Sequence, residues 1–288
     1  MEWLNTIVQG ALVGGLYALF AAGLSLMFGV MRLVNIAHGD LIVFAAYLAL
    51  VVVTTLGLSP FVSLLIVVPV MFVLGYALQR GLLNFTLGGD ILPPLLVTFG
   101  LSIVIQNALL EGFSADSRRL EVGAFETASI RLTDQIAIGW FPLVIFLSAI
   151  AVIALLEGLL YRTALGRAFR ATSDDPDTAR LYGVRNRHIF ALATAISLAV
   201  ISIAAIFLSV RTNFDPASGP ARLLYAFEAV IIGGLGSLWG TLAGGIVLGI
   251  AQAIGASLNP GWEQLAGHVA FLIVLILRPR GLFPKLVD

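Results

Sequence analysis

Nine stretches of this sequence run for 13 to 25 residues with at most one Asp, Glu, Lys or Arg in each. They are Thr6–Val30, Ile36–Leu56, Phe61–Leu78, Leu92–Leu110, Trp140–Leu160, Ile189–Val210, Leu223–Leu238, Thr241–Ser257 and Leu265–Leu277. A bilayer is crossed by about 20 apolar residues wound as a helix, because every backbone polar group must find its partner inside the segment. That requirement leaves one fold class: an all-α, polytopic membrane protein with eight or nine transmembrane helices. Only 11% of the 288 residues are charged, against about 25% in a soluble domain. The mean hydropathy of +1.03 agrees.

The count of eight or nine turns on the end of the chain. The runs after Leu223 are short and Gly-rich, and they read either as two tight crossings or as one broken helix. Leu265–Leu277 reaches across only if it borrows Trp262–Gln264 and the tail, or if the bilayer thins. Charge orients the chain. Between Arg162 and His188 stand six arginines (162, 167, 170, 180, 185, 187) against Asp174, Asp175 and Asp177. By the positive-inside rule this loop, 161–188, is cytoplasmic. Counting back places Arg32 and Arg80 inside, the N-terminus outside, and the loop 111–139, with five acids against three arginines, outside. Counting forward through nine crossings places the basic tail (Arg278, Arg280, Lys285) inside; eight would leave it outside. No positive n-region precedes the first run, which therefore reads as a retained span rather than a cleaved signal.

Several chemistries are excluded or disfavoured. There is no cysteine, hence no thiol nucleophile or thiolate-bound metal. His38, His188 and His268 are too scattered to suggest a metal site. A net charge of zero gives no basic field for nucleic acid. No Gly-rich loop ends in Lys-Ser or Lys-Thr, so the chain has no phosphate-binding loop for ATP. It reads as non-catalytic and without a cofactor of its own.

Within the basic loop, "DDPDTARLYGV" reads as a short helix. Asp175 caps it, Pro176 takes the first position, Asp177 complements the helix dipole, and Gly183 supplies the left-handed end. Ala179, Leu181 and Tyr182 offer a small apolar contact surface, and Arg180 projects elsewhere. This is either an ordinary capped loop with orienting arginines or a rigid element that docks on a cytosolic partner.

Polar residues inside the spans are costly and few. Asn35, His38 and Asp40 cluster at the start of the second run, either as helix caps or facing a solute path. Gln106 and Asn107 lie deep in "LSIVIQNALL" and must bond another helix or line water. Glu228 is interfacial, paired with an arginine such as Arg222, or faces the path. "GGLGSLWGTLAGG" (Gly233–Gly245) holds six glycines in 13 residues. Gly236 to Gly240 and Gly240 to Gly244 have the spacing of close helix packing. Gly233, Gly234 and Gly236 also suit a broken helix that lines a path.

Three motifs and the ending give these features a family. "NIAHGD" (Asn35–Asp40), "GRAFRATSDDPDTARLYGV" (Gly166–Val184), "AVIIGGLGSLWGTLAGGIVLGIAQA" (Ala229–Ala253) and the terminal "RPRGLF" resemble the permease subunits of branched-chain amino acid ABC importers, specifically the LivH-like subunit. Ile36 stands where phenylalanine is common. The resemblance covers essentially the whole chain and implies one permease domain over residues 1–288. It implies a bacterial inner-membrane location. It makes Asp174–Gly183 a coupling helix seated on an ATPase, with Gly166, Arg167, Arg170, Ala171, Ala179, Gly183 and Val184 in matching places and Asp174, Asp175, Pro176, Leu181 and Tyr182 as further coupling residues. ATP and Mg would then sit on two cytosolic LivG/LivF-like subunits. A LivM-like second permease and a periplasmic substrate-binding protein would complete the importer. The competing function is a stand-alone secondary transporter or channel for a small polar solute, with Asp40 together with His38 or Glu228 as its ion or proton site.

Overall fold

A computed structural model describes residues 2–87, 92–133 and 136–283. Lys285 of the expected basic tail lies outside the described residues. The helices are α1 (Glu2–Met31), α2 (His38–Leu56), α3 (Pro60–Gly81), α4 (Leu92–Phe113), α5 (Trp140–Arg162), α6 (Ala164–Asp174), α7 (Pro176–Leu181), α8 (Asn186–Arg211), α9 (Gly219–Gly233), α10 (Leu238–Leu258) and α11 (Glu263–Leu277). Among the described residues eight helical segments are long and apolar enough to cross a membrane. The last of these spans Pro260–Leu277, so the final run does borrow upstream residues, through a 3-10 turn at Pro260–Trp262. The loop expected outside contains something the sequence pattern did not suggest, an antiparallel pair β1 (Ser129–Thr133) and β2 (Ile136–Gly139).

The chain forms two compact units. One comprises Met1–Ser25, Glu121–Ile153 and Tyr225–Asp288; the other comprises Leu26–Leu120 and Ala154–Leu224.

In the first unit glycine seams set the packing. A Cβ added at Gly244 would collide with the carbonyl of Ala229, and one at Gly240 with the carbonyl of Gly233. Partners move forward four residues in α10 as they move back four in α9, so the two helices are antiparallel. The expected broken helix is therefore a helical hairpin. Its turn is made by Gly234 (φ 104°) and Gly236 (φ 79°), conformations open to glycine but strained for other residues. One residue further round α10, Gly245 and Gly249 abut Gly14 and Gly10 of α1. Successive helical residues lie about 100° apart at 3.6 per turn, so α10 presents two different seams to two helices. Small residues at such seams let backbones touch, which is how helices gain packing energy where no hydrophobic drive exists. The tail closes the hairpin: Leu282 N–H donates to Ile232 O (2.8 Å) and Phe283 N–H to Gly233 O (2.9 Å). These bonds satisfy carbonyls that the end of α9 would otherwise leave open.

In the second unit α3 packs on α8, with Gly75 against the backbone of Thr194 and Ala195. Buried polar groups there are tied together: Gln79 accepts from Thr194 Oγ1 (2.7 Å) and donates to Asn84 Oδ1 (3.1 Å). Helix α2 packs against α3, α4 and α8.

Candidate functional site

Residues 32–37 leave the helical path after α1. Arg32 adopts φ 52° and ends that helix. The segment is then secured on α4, where Ile36 N–H donates to Thr98 Oγ1 (3.2 Å). Asn35 Oδ1 accepts from Ala37 N–H (3.0 Å) and Asn35 O from His38 N–H (3.2 Å). Asn35 therefore satisfies the irregular backbone just ahead of α2 and does not act as the residue adjoining the helix, which is Ala37. Non-helical backbone survives at membrane depth only when protein or water satisfies it.

The depth can be read from α4. Thr98, Ser102 and Gln106 stand six, ten and fourteen residues beyond Leu92 in a 22-residue helix, or about 9, 15 and 21 Å along it at 1.5 Å per residue. Contacts from Ile36 to Thr98, Asp40 to Ser102 and Gln106, and Tyr47 to Phe113 advance together, so α2 runs parallel to α4. Helix α2 thus begins between the levels of Thr98 and Ser102 of α4.

Asp40 is the hub. It does not cap α2. Its Oδ2 accepts from Ser102 Oγ (2.5 Å) and its Oδ1 from Gln106 Nε2 (2.9 Å). Asn35, His38 and Asp40 are all buried. The start of α9 meets the same place. A Cβ on Gly39 would collide with the carbonyl of Gly219, and one on Gly219 with the Asp40 carboxylate. Helix α9, of 15 residues, thus starts beside Asp40, after the irregular residues 212–218. Beyond Asp40, Tyr47 packs on Phe113 and Phe214 (centroids 4.6 and 5.0 Å). Phe214 is fixed by reciprocal backbone bonds with Arg118. Five of the expected path residues therefore fall on α2, on α4 or just ahead of α2: Asn35, His38, Asp40, Gln106 and the exposed Asn107. Ser102, Thr98 and Gly219 belong with them, though a hydroxyl in an apolar run carries little signal in sequence.

The remaining expected path residues lie elsewhere. Glu228 is 2% exposed, and its partner is His268, not Arg222. Glu228 Oε1 and His268 Nδ1 are 2.5 Å apart. Gly233, Gly234 and Gly236 form the α9–α10 turn, where Gly240, Thr241 and Gly281 crowd Gly233 and Gly234. Close packing accounts for their size. Leaving a buried acceptor without its hydrogen-bond donor costs about 1–3 kcal/mol. His268→Ala should fall within that range, because it leaves Glu228 buried while the lost imidazole is itself 36% exposed. Thermal unfolding of the purified protein in detergent measures this; Glu228→Gln in the same assay should cost less.

The basic loop holds two helices where one was expected. Thr163 caps α6, its Oγ1 accepting from Gly166 N–H (3.0 Å). Gly166 is buried against the carbonyls of Leu159 and Leu160, so it serves packing rather than an outer surface. Arg170 donates to Leu160 O, and its guanidinium lies 5.0 Å from the Tyr161 ring centroid. Arg167 and Asp174 are exposed. Ser173 Oγ donates to Gly29 O (2.6 Å), which joins α6 to α1.

Helix α7 follows the expected grammar. Asp175 caps it, Oδ1 accepting from Asp177 and Thr178 N–H (both 3.0 Å) and Oδ2 from Thr178 Oγ1 (2.5 Å). Those bonds, the Thr178 hydroxyl first, hold its carboxyl below the usual carboxylate range. Pro176 is at the first position, and Gly183 turns the chain at φ 84°. Asn186 Nδ2 donates to Pro176 O (2.6 Å) and stitches the base of the peg. The expected contact surface needs one correction. Ala179 is buried, while Leu181 and Tyr182 are each 86% exposed. A short helix turns its small residue inward so that it can approach its neighbours, and the large ones are left out.

Eight candidate spans, a helix that begins beside a buried carboxylate, and irregular backbone held by protein together mark a multi-pass membrane transport subunit. The chain belongs to the family described as the permease component of the branched-chain amino acid transport system, whose model matches residues 6–277. It is similar to the high-affinity branched-chain amino acid transport system permease protein BraD of Pseudomonas aeruginosa, 29% identical over 99% of this chain and 96% of that protein. It is likewise similar to the corresponding LivH of Escherichia coli, 26% identical over 99% and 96%. A probable branched-chain amino acid transport permease protein LivH of Methanocaldococcus jannaschii is 27% identical over 94% and 88%.

Proposed function

We propose that this chain is the membrane-spanning subunit through which an ATP-driven importer passes branched-chain or related amino acids into the cytoplasm. A periplasmic binding protein delivers the cargo, and a LivM-like second permease completes the passage. Two LivG/LivF-like ATPases bind ATP and Mg, so hydrolysis takes place off this chain. The N-terminus and residues 111–139 face the periplasm. Residues 161–188 and the tail face the cytoplasm. Residues 1–288 work as one permease domain.

The observation that carries this reading is the α6–α7 element. It is charged, capped at both helix starts, bonded back to α1 and α5, and yet leaves Leu181 and Tyr182 uncovered at its tip. A large apolar pair exposed on a polar, rigid peg suits insertion into a groove of a cytosolic partner. The other expected coupling residues support the peg from within: Asp175, Pro176 and Gly183 shape α7, and Gly166, Arg170 and Ala179 anchor it. Arg167 and Asp174 flank it on the surface.

The test is reconstitution in liposomes. Leucine, isoleucine or valine should accumulate only when the ATPases, the binding protein and ATP are all present. Accumulation driven by an ion gradient in liposomes holding this chain alone would overturn the proposal and favour a stand-alone transporter.

A further inference from the structure

A cavity of about 140 Å³ lies near the Phe113 end of α4, bordered by Gln106, Asn107 and Leu110 of that helix and by Asp215, Pro216 and Ala217. Its polar atoms are unequally distributed between donors and acceptors. Gln106 commits both N–H bonds of its amide, to Asp40 Oδ1 (2.9 Å) and Ser102 Oγ (3.3 Å). Its carbonyl oxygen accepts nothing from the described residues. Asp215 Oδ1 takes the Ala217 N–H (2.9 Å), and its Oδ2 is unused by them. Asn107 gives one N–H to Ile103 O (2.8 Å). The cavity is left with a carboxylate oxygen and two amide oxygens against a single amide hydrogen. Among the described residues no cation lies within ion-pair distance of Asp215. Arg118, the nearby candidate, pairs with Asp116 at 3.7 Å.

We propose that this cavity binds the ammonium group of a primary aliphatic amine, with hydrocarbon resting on Leu110 and Pro216. An ammonium brings three donors and a positive charge to a site rich in acceptors and short of a counter-charge. A carboxylate brings the opposite and finds one amide hydrogen and no cation to pair with. The volume is smaller than the roughly 300–1,000 Å³ that encloses a drug-sized ligand, which suits a head group rather than a whole molecule. Identifying that amine as an amino-acid cargo entering the subunit rests on the function proposed above; the chemistry of the cavity does not. Gln106 also links the cavity to Asp40, so an occupant would bear on the bonds that hold α2 to α4.

The chain lacks cysteine, so Ala217→Cys gives a single thiol at the cavity mouth. The full-length variant in nanodiscs is treated with 2-aminoethyl methanethiosulfonate, a cation, or 2-sulfonatoethyl methanethiosulfonate, an anion. Rates are normalised to a free thiol. The cation should react about fivefold faster or more, as one charge at close range in a partly hydrated site implies. Adding Asp215→Asn, which keeps the bond to Ala217, should bring the ratio close to one. Isopentylamine should slow the labelling and 4-methylpentanoate should not. If the ratio survives Asp215→Asn, or both compounds protect equally, the cavity is not an ammonium site. Asn213→Cys, exposed on the same segment, gives the same readout should Ala217→Cys fail to insert. Labelling needs neither ATP nor transport. A failure of ATP-driven uptake would therefore unseat the importer and leave this result standing, and the reverse also holds.

Discussion

Changing Leu181 and Tyr182 together to aspartate should lower ATP-driven uptake about 30-fold or more, with the protein still inserted at its normal level. Both side chains are exposed in this chain, so their loss removes no internal packing. Their value appears only when a partner covers them. A central apolar anchor in an interface is worth about 2 kcal/mol or more, and that alone is about 30-fold in affinity. The measurement pairs uptake into liposomes with co-purification of the ATPases. Uptake at the wild-type rate, with the ATPases still bound, would remove α7 from the coupling route. Ala179→Asp is a poorer probe. Ala179 is buried, so a charge there disturbs the peg itself and mixes misfolding with lost docking.

Replacing Asp40 by alanine should have the second-largest effect. Ser102, which is buried, and Gln106, which is half-buried, would each lose the acceptor that Asp40 provides. Hydrogen bonds to a charged group contribute about 1.5–3 kcal/mol each, so the loss should be about 3 kcal/mol or more. For a chain of this size that lowers the unfolding midpoint by about 5–10 °C, and uptake should fall with it. Asp40→Asn separates shape from charge. Asparagine can accept from one neighbour and donate to the other once the Ser102 hydroxyl or the Gln106 amide rotates. Stability should return to within about 1 kcal/mol, and uptake with it, if Asp40 serves to fasten α2 to α4. Normal stability with uptake still lost would mean that the charge acts on the cargo.

The spans were legible because apolar runs of membrane length have one physical use. The grammar of α7 was legible for a similar reason. Asp175, Pro176 and Gly183 are local signals, and a helix end needs only its immediate neighbours. What stayed hidden depends on distance in sequence. Glu228 has Arg222 six residues before it, and the fold gives it His268 from another helix instead. Asp40 looked like a cap because it opens an apolar run; its partners lie 62 and 66 residues further on. The glycines of 233–245 advertised close approach, but not which neighbours would approach. Helix α6 was missed because its arginines read as orienting charges, and β1–β2 because five- and four-residue strands in a polar loop leave almost no periodic pattern.

The paired glycine rows of α10 carry a mechanical consequence. A helix that touches one neighbour along a single row can pivot about it. Here Gly240 and Gly244 are interlocked with one helix while Gly245 and Gly249 are interlocked with another, so any spin about the long axis drives backbone into backbone on one side. Protein interiors yield little to such compression. The three segments must therefore travel as one piece during any transport stroke, and the give has to come from places where the chain is not so tightly meshed.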